Sequence, residues 1–230
     1  MFCRYFSKTT SKRWFCCLKE CLWVKKQNLK ALIDYYGADI IVLTETSSKL
    51  DFSDTYKNIA TEKLSQGYDG INYRNDENRT TIWTKYEIIE QILTFDNFTS
   101  VCCEIKTEYG NLKVYATIIG VLGGKGERFK NDLESHLNDF NKFGINENNC
   151  VVGDLNTSFA GFVYPSHDAI NTLNVTFKNL KMKNLTAEIE NNVDHIIISE
   201  KFLENRNVQI EVWNLDKKLS DHIGICITIE

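Results

Sequence analysis

Val193-Asp194-His195-Ile196-Ile197-Ile198-Ser199 is one of two stretches that decide the fold of this 230-residue chain. The other is Ser220-Asp221-His222-Ile223-Gly224-Ile225. Each places an Asp-His pair ahead of an apolar run that is long enough for a buried β-strand. A carboxylate next to a histidine at the start of a strand suits proton transfer or charge handling at a phosphate or carbonyl centre. Taken alone, such a pair is a weak indication of function.

Two more carboxylates follow apolar runs earlier in the chain. Glu45 ends the run that begins at Ile40, and Asp154 ends the run that begins at Cys150 and is followed by Asn156. Residues i and i+2 of an extended segment point the same way, so Asp154 and Asn156 can address one site. Ligands in layered α/β proteins collect where strands end.

Four short motifs, in their order along the chain, resemble the endonuclease/exonuclease/phosphatase superfamily, whose fold is that of pancreatic-type deoxyribonuclease. They are Leu-Thr-Glu-Thr at 43–46, Gly-Asp-Leu-Asn at 153–156, Val-Asp-His-Ile at 193–196 and Ser-Asp-His at 220–222. The resemblance covers roughly residues 25 to 230. It implies a four-layer α/β/β/α sandwich, in which two packed mixed sheets are flanked by helices.

The spacing of apolar residues agrees with that architecture. Strands mixed with a few helices and with hairpins suit a two-sheet sandwich better than a doubly wound sheet. The turn at 108–111 predicts a hairpin, and the polar stretch 75–79 predicts an exposed turn. Helices are predicted at 24–36, 128–143 and 167–182, and strands at 40–45, 81–84, 87–94, 101–106, 112–119, 150–154, 193–198, 208–213 and 223–229.

The resemblance also implies a metal site. Glu45 matches the metal-binding glutamate of the superfamily, and Asp221 would help to bind the metal or to fix the site. Carboxylate oxygens are the ligands that hard cations prefer. We therefore expect Mg²⁺ or Mn²⁺ as the cofactor.

Four residues would carry the chemistry if the resemblance holds. Asp154 would orient or deprotonate an attacking water, and Asn156 would hydrogen-bond the phosphate. Asp194 would orient His222, and His222 would contact the scissile phosphate or share in water activation. His195 would point to the other face of its strand and take no part.

The glycine-rich segment 120–126 is less informative. Lys125 and Arg128 could bind phosphate there, although a flexible loop is an equal interpretation, and the segment lacks the Gly-Lys-Ser/Thr of a Walker loop. Other members of the superfamily tend to place a catalytic histidine or tyrosine near this strand end, and the sequence 117–120 offers neither. His136, within the helix that follows, is predicted to lie on the surface.

The N-terminus departs most from the superfamily pattern. The family opens with a strand that bears an asparagine near the metal, and this chain has no asparagine before Asn28. Residues 1–23 are therefore predicted to be a divergent or poorly ordered segment, followed by a single domain at 24–230. We expect the metal site to be weaker for this reason.

Composition adds few restrictions. A net charge of −4 gives no support for nucleic-acid binding, although a metal can supply local positive charge. The eight cysteines are interpreted as small buried side chains in a reducing cytoplasm. No segment approaches the length of a membrane span, and a monomer is expected.

The sequence thus predicts a metal-dependent phosphodiesterase, most simply a nuclease with nucleic acid as its substrate. Two alternatives stay open. One is a phosphatase of a small phosphorylated compound such as an inositol phosphate, and the other is a degenerate, non-catalytic binding member of the superfamily.

Overall fold

A computed structural model describes residues 13–19, 26–64, 73–120 and 126–230, with side chains from residue 30 onward. The strands are β1 Arg13–Lys19, β2 Ile40–Ser47, β3 Lys57–Ala60, β4 Glu77–Thr84, β5 Glu87–Ile92, β6 Ser100–Thr107, β7 Gly110–Ile118, β8 Asn149–Asp154, β9 Met182–Asn184, β10 Asp194–Ser199, β11 Val208–Trp213 and β12 Gly224–Ile229. The helices are α1 Lys26–Tyr36, α2 Gly126–Phe140, α3 His167–Asn179 and α4 Glu200–Leu203. Within these residues no helix is long and apolar enough to cross a bilayer.

The strands form two mixed sheets of six. The first sheet has the order β11-β12-β1-β2-β4-β3, and the second has the order β5-β6-β7-β8-β10-β9. Most neighbours are antiparallel, but β1 runs parallel to β2 and β7 runs parallel to β8. The predicted hairpin joins β6 and β7, where Thr107 pairs with Gly110.

Alternation along the strands separates three apolar layers. Val42 and Val152 pack between the two sheets in the central core. Val151 faces the other way, onto α2 and α3, and Ile41 faces the outer side of the first sheet, in a cluster that includes Ile33 of α1. The helix–sheet–sheet–helix sandwich predicted from the sequence is confirmed.

The domain boundary at residue 24 is wrong, because β1 lies inside the first sheet. Residues 13–19 pair with β12 on one side and with β2 on the other. The sequence Arg-Trp-Phe-Cys-Cys-Leu-Lys has no clear alternation, so pattern alone does not show a strand there. Pairing on both sides satisfies the backbone hydrogen bonds of β1 whatever its side-chain pattern. Residues 1–12 and 20–25 lie outside the described part of the chain.

Two local predictions also need correction. The exposed turn predicted at 75–79 is limited to residues 75 and 76, because Glu77, Asn78 and Arg79 are buried at the start of β4. The charges of Glu77 and Arg79 compensate each other, which a hydropathy pattern does not reveal. Helix α3 ends at Asn179, and not at 182, because Lys181 adopts a left-handed φ of 51° that cannot continue a helix.

Candidate active site

The predicted site residues lie at strand ends on one edge of the sandwich. In the first sheet, Lys19 at the end of β1 pairs with Thr44, and Cys17 pairs with Ile225 near the start of β12. The end of β2 and the start of β12 therefore share an edge, separated only by β1, or about 10 Å of sheet. Glu45 lies at one side of this interval and His222 lies at the other.

In the second sheet, Asp154 and Asp194 are direct cross-strand partners. They face each other in the antiparallel pair β8–β10. Both side chains are almost fully buried, at 4% and 1% exposed. Directly opposite residues have Cβ atoms about 5 Å apart, so the two carboxylates belong to one site.

One hydrogen bond joins the two sheets at this edge. Nδ1 of His222 lies 2.6 Å from Oδ2 of Asp194, and the His222 side chain is 15% exposed. The carboxylate accepts, so Nδ1 carries the hydrogen and the ring is held in one orientation. The contact brings Glu45's sheet and Asp154's sheet to a common cleft.

Asn156 fixes the Asp154 carboxylate from the loop after β8. Its backbone N–H donates to Oδ1 of Asp154 over 2.9 Å, and its Nδ2 donates to the carbonyl of Ile119 over 2.8 Å. Asn156 has a left-handed φ of 45°. Gly153 precedes the acid because a Cβ there would lie 2.1 Å from the carbonyl oxygen of Thr117 on β7. The local sequence Gly-Asp-Leu-Asn is thus shaped by close strand packing as well as by the site.

The sequence matches no family model and no curated protein. Solved structures, in contrast, match the fold. The endonuclease domain of TRAS1, a telomere-specific non-LTR retrotransposon, has a TM-score of 0.70 and 16% identity, over 96% of this chain and 98% of that one.

Two further solved structures have a similar fold. An AP endonuclease from Archaeoglobus fulgidus has a TM-score of 0.70 at 12% identity and covers 93% of this chain and 97% of its own. An endonuclease/exonuclease/phosphatase from Beutenbergia cavernae has a TM-score of 0.71 at 12% identity, over 96% of this chain and 71% of its own. The chain has the endonuclease/exonuclease/phosphatase fold. This resemblance was predicted from four motifs, and the fold confirms it.

On this fold Glu45 is held by a residue that sequence reasoning missed. Nη2 of Arg79 lies 3.2 Å from Oε1 of Glu45, and Nη1 lies 2.8 Å from Oε1 of Glu77. The Glu45 side chain is 29% exposed and that of Arg79 is 5% exposed. Glu45 also has a left-handed φ of 53°, which interrupts the alternation of β2. Arg79 is the third residue of β4, and nothing in the local sequence Glu-Asn-Arg-Thr-Thr marks it as a site residue.

Asp221 occupies the mouth of the cleft. It is exposed, and the hydroxyl of Ser220 lies 3.5 Å from its Oδ1. The loop is fixed from behind by Asn214, whose Nδ2 donates to the carbonyls of Ser220 and His222 over 3.0 and 2.6 Å. Asn214 is a second supporting residue that the sequence did not single out.

The donors at the edge of this endonuclease/exonuclease/phosphatase fold suit a hard divalent cation. Among the described side chains, no three His, Cys, Asp or Glu residues form a group that could enclose a metal. Mg²⁺ does not need such a cage, because it is held by one or two carboxylates, with water and substrate phosphate completing its shell. Oδ1 of Asp194 is buried and has no hydrogen-bond partner in the described part of the chain. This carboxylate oxygen could therefore still accept a hydrogen bond or interact with a cation in the cleft. Glu45 and Asp221 fit the group.

The glycine-rich segment adds little to the site. Lys125 lies outside the described residues, and Arg128 is exposed in the first turn of α2. His136 is fully buried, so its predicted surface position is wrong. Its Nε2 lies 2.7 Å from the hydroxyl of Thr117, and its Nδ1 donates to the carbonyl of Asp132 over 2.8 Å. These bonds fix the end of β7.

Proposed function

We propose that this protein is a divalent-metal-dependent phosphodiesterase that hydrolyses nucleic acid. The main support for this proposal is the 2.6 Å hydrogen bond from His222 to Asp194, which joins the two sheets directly beside Asp154. A nuclease is favoured because the TRAS1 domain and the Archaeoglobus enzyme, which share the fold, are endonucleases.

Asp154 acts on the attacking water in this proposal. Its carboxylate is buried and held at Oδ1 by the Asn156 N–H, so its orientation is set before the substrate arrives. A fixed carboxylate within reach of a water can align it and take its proton. Asn156 lies beside it and donates to the phosphate when the substrate displaces its present partner, the carbonyl of Ile119.

His222 acts on the phosphate. Asp194 accepts from Nδ1 and stabilises the protonated ring, so the opposite edge of the imidazole can donate to a phosphate oxygen as negative charge develops there. Asp194 is 1% exposed, so this bond works in a medium of low dielectric constant and is strong. Asp194 holds the ring and His222 makes the contact.

The cleft carboxylates would hold Mg²⁺ or Mn²⁺, whose charge would offset the negative charge on the phosphate and on the leaving oxygen. Glu45 and Asp221, at the two sides of the cleft, are the residues that would hold it. Glu45 is presented by the end of β2 with Arg79 behind it, and Asp221 is presented by the loop before β12.

A phosphatase of a small polyol phosphate is the second candidate, since a cavity of about 450 Å³ opens next to the end of β2. Its lining is mostly hydroxyl and amide groups, which suit a sugar or cyclitol. The lining residues are Thr46, Ser47, Ser48, Lys49, Leu50, Asp51, Asn58, Ala60, Asn78, Thr81 and Trp83.

One assay separates these functions. Purified protein with Mg²⁺ is given plasmid, abasic duplex, RNA and an inositol phosphate, with Asp154→Asn and Glu45→Gln as controls. We expect turnover of at least one nucleic acid, abolished by Asp154→Asn and by chelation of the metal. Turnover of inositol phosphate alone selects the second candidate. Binding of nucleic acid without turnover of any substrate selects a non-catalytic binding protein and refutes the proposal.

A further inference from the structure

We propose that Arg79 is the positioning residue for Glu45, the acid assigned to the metal. Arg79 bridges Glu45 and Glu77 and thereby gives the Glu45 carboxylate one orientation at the edge of the cleft. The inference rests on the proposed function and names a component of the same site that neither the motifs nor the fold comparison assigns.

The first support is the burial of the bridge. Arg79 is 5% exposed and the Glu77 side chain is 9% exposed, so the guanidinium is removed from water almost completely. A buried charge is costly unless it is paired, and here two carboxylates pair with it. The Tyr73 ring, 5.3 Å from the guanidinium carbon, covers the cation further. Glu77 anchors Arg79 from inside the sheet, and Arg79 in turn reaches the partly exposed Glu45.

The second support is that this contact carries two local costs. Nε of Arg79 is buried and finds no hydrogen-bond partner among the described residues. Glu45 adopts φ 53°, a conformation that a non-glycine residue rarely takes. Costs of this kind persist only where the surrounding structure enforces the geometry, and they cluster at functional sites. A buried ion pair is itself weak evidence for stability, so orientation is the better explanation.

The third support is chemical. The guanidinium is a rigid planar group whose two terminal nitrogens point to Glu77 and Glu45 in fixed directions, whereas a lysine ammonium is a point charge that cannot bridge two carboxylates in this way. A glutamate side chain without such a partner would sample several rotamers, and ordering it on metal binding would cost free energy. Groups that hold a metal ligand typically change metal affinity or activity 10- to 100-fold when they are removed.

The test measures metal binding without substrate. Mn²⁺ binding to the full chain is followed by electron paramagnetic resonance for wild type, Arg79→Met and Arg79→Lys. Arg74→Met is the matched control, since Arg74 is an arginine five positions earlier that pairs with Asp76 and is 44% exposed. We expect Arg79→Met to weaken Mn²⁺ binding about 10- to 100-fold. Arg79→Lys should recover only part of the loss, and the control should match wild type.

A double-mutant cycle shows whether Arg79 acts through Glu45. In the Glu45→Gln background, Arg79→Met should have no further effect on Mn²⁺ binding or on kcat. A folded Arg79→Met that binds Mn²⁺ as tightly as wild type, or more tightly, overturns the inference. If that variant does not fold, a folded Arg79→Lys with wild-type Mn²⁺ affinity and kcat overturns it equally. A wild type that binds Mn²⁺ but hydrolyses nothing refutes the proposed function and leaves this inference standing.

Discussion

The chain contains two Asp-His pairs ahead of apolar strands, and the structure uses them in opposite ways. In Asp194-His195 the acid faces the cleft, and the histidine is fully buried. Nε2 of His195 donates to the carbonyl of Thr157 over 2.8 Å, and Nδ1 accepts from the hydroxyl of Thr186 over 2.9 Å. This histidine is a neutral part of the core.

In Asp221-His222 the roles are exchanged. The histidine turns into the cleft and bonds Asp194, and the acid is exposed. The difference comes from the position of each pair relative to its strand. Asp194 is the first residue of β10, whereas His222 precedes the start of β12 by two residues. The same dipeptide therefore supplies a carboxylate to the site in one place and an imidazole in the other.

The largest effect should follow from removing the cleft histidine. His222→Asn is expected to lower kcat about 10²- to 10⁴-fold, the usual contribution of a positioned acid or base, and to leave the fold intact. Single-turnover hydrolysis and circular dichroism measure the two quantities. A folded His222→Asn protein with wild-type kcat would contradict the distinction between the two histidines.

The buried histidine should make stability depend on pH. Burial lowers the pKa of His195 to about 4 and also lowers the pKa of His136. Between about pH 6.5, the value of an exposed histidine, and pH 4, the unfolded chain therefore binds more protons than the folded one. The contribution of neutral His195 to the free energy of unfolding should be complete above that range. It should be lost as the pH falls through the range, and the loss should be about 3 kcal/mol.

Urea unfolding across this pH range measures the loss. His195→Gln should make the unfolding free energy depend less steeply on pH. The pH dependence that remains should come from His136 and the carboxylates. A wild-type unfolding free energy that is constant from pH 7 to pH 4 would show that His195 does not remain neutral in the folded state.

His195→Gln at neutral pH should cost stability but not chemistry. The variant loses two buried hydrogen bonds in part, so we expect a loss of about 2 kcal/mol in unfolding free energy and a fall in Tm of about 4–8 °C. The kcat of the folded protein should stay at the wild-type level. Thermal melts and kinetics at a temperature well below the melt give both values, and a tenfold lower kcat would place His195 in the site after all.

The smallest effect is expected from substitution of the exposed acid, Asp221. Asp221 lies in solvent, where a carboxylate about 4 Å from a divalent cation gains about 2 kcal/mol, and salt screening lowers this to somewhat more than about 1 kcal/mol. Asp221→Asn should therefore raise the Mg²⁺ concentration for half-maximal activity about tenfold and change kcat little. A Mg²⁺ titration of the variant beside wild type measures this, and a loss as large as that of His222→Asn would mean that Asp221 takes part in the chemistry itself.

Local sequence patterns are sufficient to predict the layered fold and the acids at its strand ends. Ile40 to Leu43, Cys150 to Val152 and Ile196 to Ile198 are apolar enough to be strands, and the acid next to each lies at a strand end whatever the tertiary arrangement. The order of the four motifs then selected one sandwich among the possible ones. These signals are local, since they depend on alternation and on residues within a few positions.

The remaining features are visible only in the folded protein, because each depends on a partner far along the chain. Arg79 is buried because Glu45 and Glu77 neutralise it, β1 is a strand because β2 and β12 pair with it, and His136 is buried against Thr117. Charged or irregular sequence predicts exposure, because burying an unpaired polar group is costly. The pairing that removes this cost joins residues far apart in the sequence, so a local pattern cannot predict it.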